Sequence, residues 1–390
     1  MRNMADAAVW SVANSRRAYC KFLSANDTGV TGGHQAGILV SKTSSSILFD
    51  TPGVKGINKD REIIVRWQND FTTTSRFIYY GQKTRNEYRM TRFGKGFPFL
   101  QPEYTGALFI LAEMDDDDYD AFVLDNEEEI EQFLDSCGIS PAETNRIIPK
   151  ESVNACLAEE KLRMTELTET FSYDFPTSDV MSASARELFY HLSYSAIMND
   201  ADSKLIKWIE LEYTLFRDIE YRHYGNQINT GFDNMEQFIA LANQIINRRK
   251  SRAGKSLEHH LAALFGESHL RFEAQPVTEG NKRPDFIFPS SEAYHNMGFP
   301  TEKLITLAAK TTCKDRWRQI LSEANRLRGS KKYLCTLQQG ISPSQMQEMK
   351  EEGVILVVPG QYIASYPPMH REMVWSVGRF IDFVRETEEI

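Results

Sequence analysis

Pro284-Asp285-Phe-Ile-Phe puts an acid at the head of a short apolar run, and the run Leu304 to Ala309 ends on Lys310. Thirteen residues beyond Lys310 comes Glu323, inside a stretch beginning Lys314-Asp315-Arg316-Trp-Arg318 that reads as a helix. Hydrolysing a phosphodiester requires charge neutralised on the phosphate and a deprotonated water held in line. Carboxylates holding Mg2+ meet both needs, and a lysine assists the water or the transition-state charge. Asp285 and Lys310 therefore form the P-D…K skeleton of a metal-dependent phosphodiesterase site. An acid commonly stands two residues before the lysine of such a skeleton, but here that position is Ala308. Glu323 is expected to replace it if its helix folds back over the strand end. Arg316 and Glu323, seven apart, span two α-helical turns and would share a face. Glu258 is expected to add a further carboxyl, acting through water.

Nucleic acid is the natural substrate for such a site. Arg248-Arg-Lys-Ser-Arg252-Ala-Gly-Lys255 holds five basic residues in eight positions and leads toward Glu258. It reads as a surface patch or, given its nearness to the site, as a DNA contact through Arg252 and Lys255 at a helix start, where phosphates approach. Two N-terminal loops are dense in groups able to read bases. One holds Asn26, Thr31 and His34; the other, Lys83-Thr-Arg85-Asn-Glu87-Tyr-Arg89, is followed by Arg92 and Lys95. Lys and Arg anchor phosphates, Asn and Gln bond adenine, and an acid accepts from cytosine. The same composition also suits solvated loops.

These residues need two frames to hold them. With 390 residues the chain calls for two or three domains. Strand-like runs at Gly37-Ile-Leu-Val, Ser46-Ile-Leu-Phe, Glu62 to Trp67, Arg76 to Tyr80 and Ala107 to Leu111 predict a small β-barrel or sandwich. Residues 150–168 read as a helix, and Pro176 lies in an aperiodic linker at 169–180. From about 180 to 265, apolar residues recur at three- and four-residue spacing, a helical pattern whose aromatics belong to a core. The expected division is 1–168, linker 169–180, and 181–390, the last α/β with a helical N-terminal part.

A net charge of −9 argues against nucleic acid until its source is located. Residues 113–135 hold twelve acids and no Lys or Arg, and setting them aside leaves +3. That run reads as a solvated edge or flexible loop, or as a DNA mimic shielding a basic groove. Five scattered cysteines with no C-x-x-C pair give neither a disulfide framework nor a zinc site. No apolar run is long enough for a membrane span and no signal-peptide core is present, so the expectation is a cytoplasmic protein without membrane contact.

Taken together, Ser24 to Gln35, Lys83 to Glu87, Asn247 to Glu258, Glu279 to Phe286 and Lys310 to Leu321 resemble the EcoRII-type restriction endonucleases, least clearly between about 110 and 235. The resemblance implies a homodimeric type II enzyme with an N-terminal effector domain, a B3-like pseudobarrel, and a C-terminal domain of the PD-(D/E)xK restriction-endonuclease fold. It implies Mg2+-dependent cutting of double-stranded DNA at CCWGG before the first C. Further target copies bound by the effector domain would relieve its blockade of the catalytic cleft, and a cognate DNA methyltransferase is expected as companion. Asp285, Lys310 and Glu323 match the family's catalytic and metal positions, Glu258 the accessory acid, and Lys314, Asp315 and Arg316 its base-reading segment. Tyr294 and His295 match as well, with no step assigned. The rival readings are a DNA-binding regulator with a decayed nuclease domain and a repair-type nuclease with another target.

Overall fold

A computed structural model describes residues 3–32, 37–149, 158–171, 175–192, 194–327 and 329–389. Two compact units make up the chain: Met1–Ile148 with Gln338–Met349 and Tyr362–Glu372, and Pro149–Leu337 with Lys350–Gln361 and Met373–Ile390.

The first unit is one curled, mainly antiparallel sheet. Its strands are β1 (Arg17–Phe22), β2 (Ile38–Val40), β3 (Lys59–Trp67), β4 (Phe71–Tyr80), β5 (Glu87–Thr91), β6 (Leu108–Asp115), β7 (Asp118–Leu124) and β8 (Arg146–Ile147), in the order β2-β5-β4-β3-β7-β6-β1-β8. Alternation in β3 sends Ile63, Val65 and Trp67 into the concave core and leaves Ile64 exposed. Tyr19, Phe77, Phe97 and Tyr119 join Trp67 there. The other face is covered by α1 (Met4–Asn14) and α2 (Glu127–Cys137) through Ala8, Val12, Ile130 and Phe133. Asn126 caps α2 by accepting the amides of Glu128 and Glu129, and the acids of its first turn favour the positive helix end.

The acidic run is therefore not a flexible loop. It forms the end of β6, all of β7 and α2. Its hairpin acids are drawn onto arginines distant in sequence: Glu113 to Arg17 at 2.6 Å, Asp117 to Arg61 at 2.6 Å and Asp120 to Arg66 at 2.8 Å. Asp115 and Asp116 pair with Arg16. The charges of these five acids are neutralised within the fold, which leaves less of the run to imitate a DNA backbone. The strand expected at Ser46 to Phe49 is also corrected: Lys42–Ile47 forms a 3-10 helix. Its serines supply the reason, since Ser41 and Ser44 hydroxyls both bond the Asn145 carbonyl and compete with a ladder.

The second unit is α/β with a helical N-terminal part. Its helices include α3 (Ala158–Thr170), α4 (Ser178–His191), α5 (Ala201–Thr230) and α6 (Met235–Glu267). The division at Ile148 and Pro149 puts α3 in this unit, upstream of the linker expected at 169–180. Its sheet runs β14-β13-β12-β11-β10-β9, from β9 (Glu273–Ala274), β10 (Phe286–Phe288), β11 (Ile305–Lys310), β12 (Lys332–Thr336), β13 (Val354–Val358) and β14 (Val374–Ser376). The β9–β10–β11 pairs are antiparallel and the rest parallel. Short α7 (Ser291–His295) follows β10, and α9 (Val377–Glu389) follows β14; α8 (Pro343–Glu351), between β12 and β13 in sequence, belongs to the first unit as far as Met349.

One aromatic cluster fixes α6 against the sheet. Phe265 lies 5.3 Å, centroid to centroid, from both Phe286 and Phe288, and Phe380 of α9 packs on the same rings. Truncating a buried phenylalanine of this kind costs about 3–5 kcal/mol. Glu258 lies seven residues before Phe265, two turns away on the same face, so this packing carries Glu258 toward Asp285 at the head of β10. Among the described residues, no helix is long and apolar enough to cross a membrane.

Candidate active site

Asp285 precedes β10 and Lys310 ends β11, neighbouring antiparallel strands, and this brings the two side chains together. Lys310 Nζ is 3.4 Å from Asp285 Oδ2, which also accepts the Ala309 amide at 2.7 Å. The Asp285 side chain is only 8% exposed. Ala308, two residues before Lys310, faces the same side of β11 and is buried.

Glu258 and Glu323 both lie within the electrostatic reach of Asp285. Burial pushes the Glu323 carboxyl up to about 7, the charge of Asp285 adds to the rise, and Lys310, Lys332 and Lys282 relieve it in part. Glu258 is raised first by burial and next by Asp285, against a hydrogen bond from Gln275 and the charges of Lys310 and Lys255. Both glutamates thus sense Asp285. The donors are all oxygens, as a hard divalent cation prefers, and crowded negative charge is what such an ion would relieve. Among the described residues no group of three or more His, Cys, Asp or Glu side chains is placed to hold a metal ion. Mg2+ needs only one or two carboxylates, because it retains several waters.

The segment carrying Glu323 differs from expectation. Arg316–Ser322 is a 3-10 helix and Glu323 is its C-cap. At three residues per turn, seven positions amount to two and a third turns, so Arg316 and Glu323 do not share a face. Tethers from outside hold the segment instead. Thr278 Oγ1 donates to the Glu323 carbonyl at 2.8 Å, and Lys282 Nζ donates to the Ser322 carbonyl. Tyr294 is buried and donates through its hydroxyl to Glu279 at 2.6 Å, while Arg326 donates its amide to the same carboxylate at 3.2 Å. His295 is exposed, with Nε2 3.0 Å from the Val277 carbonyl. Tyr294 and His295 are thus tied to the segment from Val277 to Glu279.

The basic run is corrected in two respects. It lies in the middle of the 33-residue α6, not at a helix N-terminus. Arg252 is buried, with Nη1 3.2 Å from Glu212 Oε1 and its guanidinium 3.8 Å from the Tyr213 ring centroid. Glu212 also meets His260 at 2.8 Å and the Ser182 hydroxyl at 2.7 Å, so Arg252 locks α5 to α6 and is not available to DNA. Lys255 remains exposed one turn before Glu258. Lys314 is buried, and desolvation pulls its pKa down to about 8; Asp315 is exposed and Arg316 half-buried.

Family comparison covers both units. A model described as Restriction endonuclease EcoRII, N-terminal, matches residues 12–151, and one described as EcoRII C terminal matches residues 216–381. The Type II restriction enzyme EcoRII of Escherichia coli is 39% identical over 390 aligned residues, covering 93% of this chain and 92% of that enzyme. The chain belongs to the EcoRII family of type II restriction endonucleases. The Type II restriction enzyme SsoII of Shigella sonnei is 28% identical over 127 residues, 30% of this chain and 40% of that enzyme. A solved complex of the restriction endonuclease PspGI with substrate DNA aligns with a TM-score of 0.45 at 16% identity, covering 55% of this chain and 93% of that one.

This EcoRII-family protein is accordingly a site-specific DNA endonuclease, and the decayed-nuclease reading falls away. In its first unit, Thr31 Oγ1 donates to Asn26 at 3.3 Å on one loop, and His34 lies outside the described residues. On the second loop Lys83 and Arg85 are exposed, with Arg85 5.2 Å from the Tyr80 ring centroid. Arg89, expected among the DNA contacts, is buried and lies 3.3 Å from Glu87, so it braces that acid instead. Gln275 and Thr278, which bond Glu258, Asp285 and the Glu323 carbonyl, carry no signal in the sequence. Isolated polar residues in a loop carry no spacing signal.

Proposed function

We propose that this enzyme makes a Mg2+-dependent double-strand cut at CCWGG, before the first C, and that extra target copies bound at the N-terminal unit activate it. The observation that carries the chemistry is Lys310 beside Asp285 at the ends of paired strands, with Glu258 and Glu323 both sensing Asp285. The relative's identity across both units supports the type II restriction activity on which the target and effector readings build.

Asp285 and Glu323 would hold the cation, with Glu258 reaching it through water. When bound, the ion neutralises the scissile phosphate and acidifies the attacking water. Lys310 is the chain's own positive charge at this point and serves to orient that water and offset charge on the phosphate. Arg316 is assigned to guanine O6 and N7 and Asp315 to cytosine N4, with exposed Lys255 on the backbone, whereas Lys314, like Arg252, is buried and is not assigned to DNA. Asn26, Thr31, Lys83, Arg85 and Glu87 are assigned to the effector copy. A palindrome-like target calls for a two-fold dimer, and host DNA carrying the target calls for a protecting methyltransferase.

Plasmids carrying no, one or several CCWGG sites, incubated with Mg2+ or with chelator, test the whole reading. The several-site plasmid should be cut fastest, the single-site plasmid slowly, and the site-free plasmid not at all. Equal cutting of all three would refute the target, and equal cutting of the single-site and several-site plasmids would refute effector activation.

A further inference from the structure

Gln275 stands where two carboxylates need a common donor. Its side-chain Nε2 is 2.9 Å from Glu258 Oε2 and 2.9 Å from Asp285 Oδ1. Ionised carboxylates only accept hydrogen bonds, and a primary amide has two N–H groups, so one Gln can serve one oxygen of each. The backbone contributes as well, because the Gln275 amide donates to the Asp285 carbonyl at 2.9 Å. Asp285 is thus held from both sides: Oδ1 by Gln275, and Oδ2 by the Ala309 amide at 2.7 Å.

The conformation of Gln275 is uncommon for its residue type. Its φ is +52°, in the left-handed region that favours glycine, immediately after the two-residue strand β9. A non-glycine residue there costs stability and persists where its surroundings over-determine it. Stability alone would favour Gly at this position, whereas the bridge requires a side chain. Other side chains fit the bridge less well. A Glu would add a third repelling charge, and a Lys would neutralise the acids permanently and compete with any cation.

We infer that Gln275 is a positioning residue of the cleavage site, its amide setting the separation of the Glu258 and Asp285 carboxylates. The inference rests on the reading of Asp285 as part of that site. Partners of this kind, one step removed from the reacting centre, typically change metal affinity or activity by 10–100-fold when lost.

The test compares Gln275→Gly with Asp285→Ala and the unaltered enzyme, measuring single-turnover cleavage, DNA affinity without metal, and Tm without metal. Gln275→Gly relieves the left-handed strain and removes the bridge. It should cut about 10–100-fold more slowly and need more Mg2+ for half-maximal rate, with DNA affinity unchanged and Tm equal or higher. Gln275→Asn, which keeps an amide, should recover part of the rate. A Gln275→Gly enzyme that cuts at the normal rate, or whose Tm falls with its activity, overturns the inference while an inactive Asp285→Ala leaves the site reading standing. Continued cutting by Asp285→Ala would overturn both.

Discussion

In the first unit Glu113, Asp117 and Asp120 each meet an arginine, at 2.6, 2.6 and 2.8 Å. In the second, Asp285, Glu258 and Glu323 share the charge of Lys310, which is 3.4 Å from the nearest of them. Both are groups of acids close to strands, yet the first is neutralised within the fold and the second is crowded by its neighbours. A carboxylate matched by a guanidinium stabilises its surroundings. One raised in pKa first by burial and then by a neighbouring acid stores unfavourable energy that a bound cation would release. If the contrast is real, removing charge should have opposite effects in the two units.

The largest effect is expected at Lys310. Lys310→Ala should slow Mg2+-dependent cleavage on the order of 10³-fold while leaving DNA binding near normal, the size associated with losing one proton-transfer or charge-stabilising group. Quenched single-turnover assays beside a filter-binding measurement separate the two. Undiminished cutting by this variant would remove the site assignment and the contrast with it.

Glu323 gives the second test because function and stability should move in opposite directions. Its folded pKa of about 7 lies above the ordinary 4.5, so the metal-free folded state binds the extra proton between those values. Stability is present at low pH and is lost as pH rises through about 7. A neutral isostere escapes that loss. Glu323→Gln should therefore stabilise the metal-free protein by about 2–3 kcal/mol at pH 8, on the scale of 1.36 kcal/mol per pKa unit. The gain should vanish below the ordinary glutamate pKa, and cleavage should slow, by less than in Lys310→Ala. Urea unfolding at pH 4.5 and pH 8 checks the sign; a variant less stable than its parent at pH 8 would show that Glu323 is paired like Glu113.

Much of this was legible in the sequence, for identifiable reasons. Asp285 and Lys310 sit at the ends of apolar runs, and strand pairing brings such ends together. Helices α5 and α6 announce themselves through three- and four-residue spacing over 30 and 33 residues. The 3-10 geometry of Arg316–Ser322 was not legible, because buried Trp317 and Ile320, three apart, suit either kind of helix. Arg252 looked like a DNA contact because its partner Glu212 lies 40 residues earlier, on another helix. The acidic run looked solvated for the same reason: Arg17, Arg61 and Arg66 lie 96, 56 and 54 residues from the acids they meet. Charge patterns read along the chain miss pairings made across a sheet.

Arg17 provides the smallest effect and the most direct check on the first unit. Glu113 has only 3% of its side chain exposed and receives Arg17 through both Nε, at 2.6 Å, and Nη2, at 3.0 Å. Removing one member of a fully buried pair costs about 3–5 kcal/mol, because the remaining charge is left without compensation. Arg17 is one-third exposed and water can reach it, so the cost of Arg17→Met is set lower, at roughly 2 kcal/mol. Chemical denaturation should show this loss with cleavage of a several-site plasmid unchanged in the folded protein. The double variant Arg17→Met with Glu113→Gln should recover most of it, since a neutral buried amide carries no stranded charge. If Arg17→Met instead left stability untouched and altered cleavage, the acids of β6 and β7 would be acting on DNA. The distinction between charge used for folding and charge reserved for chemistry would then fail in the first unit.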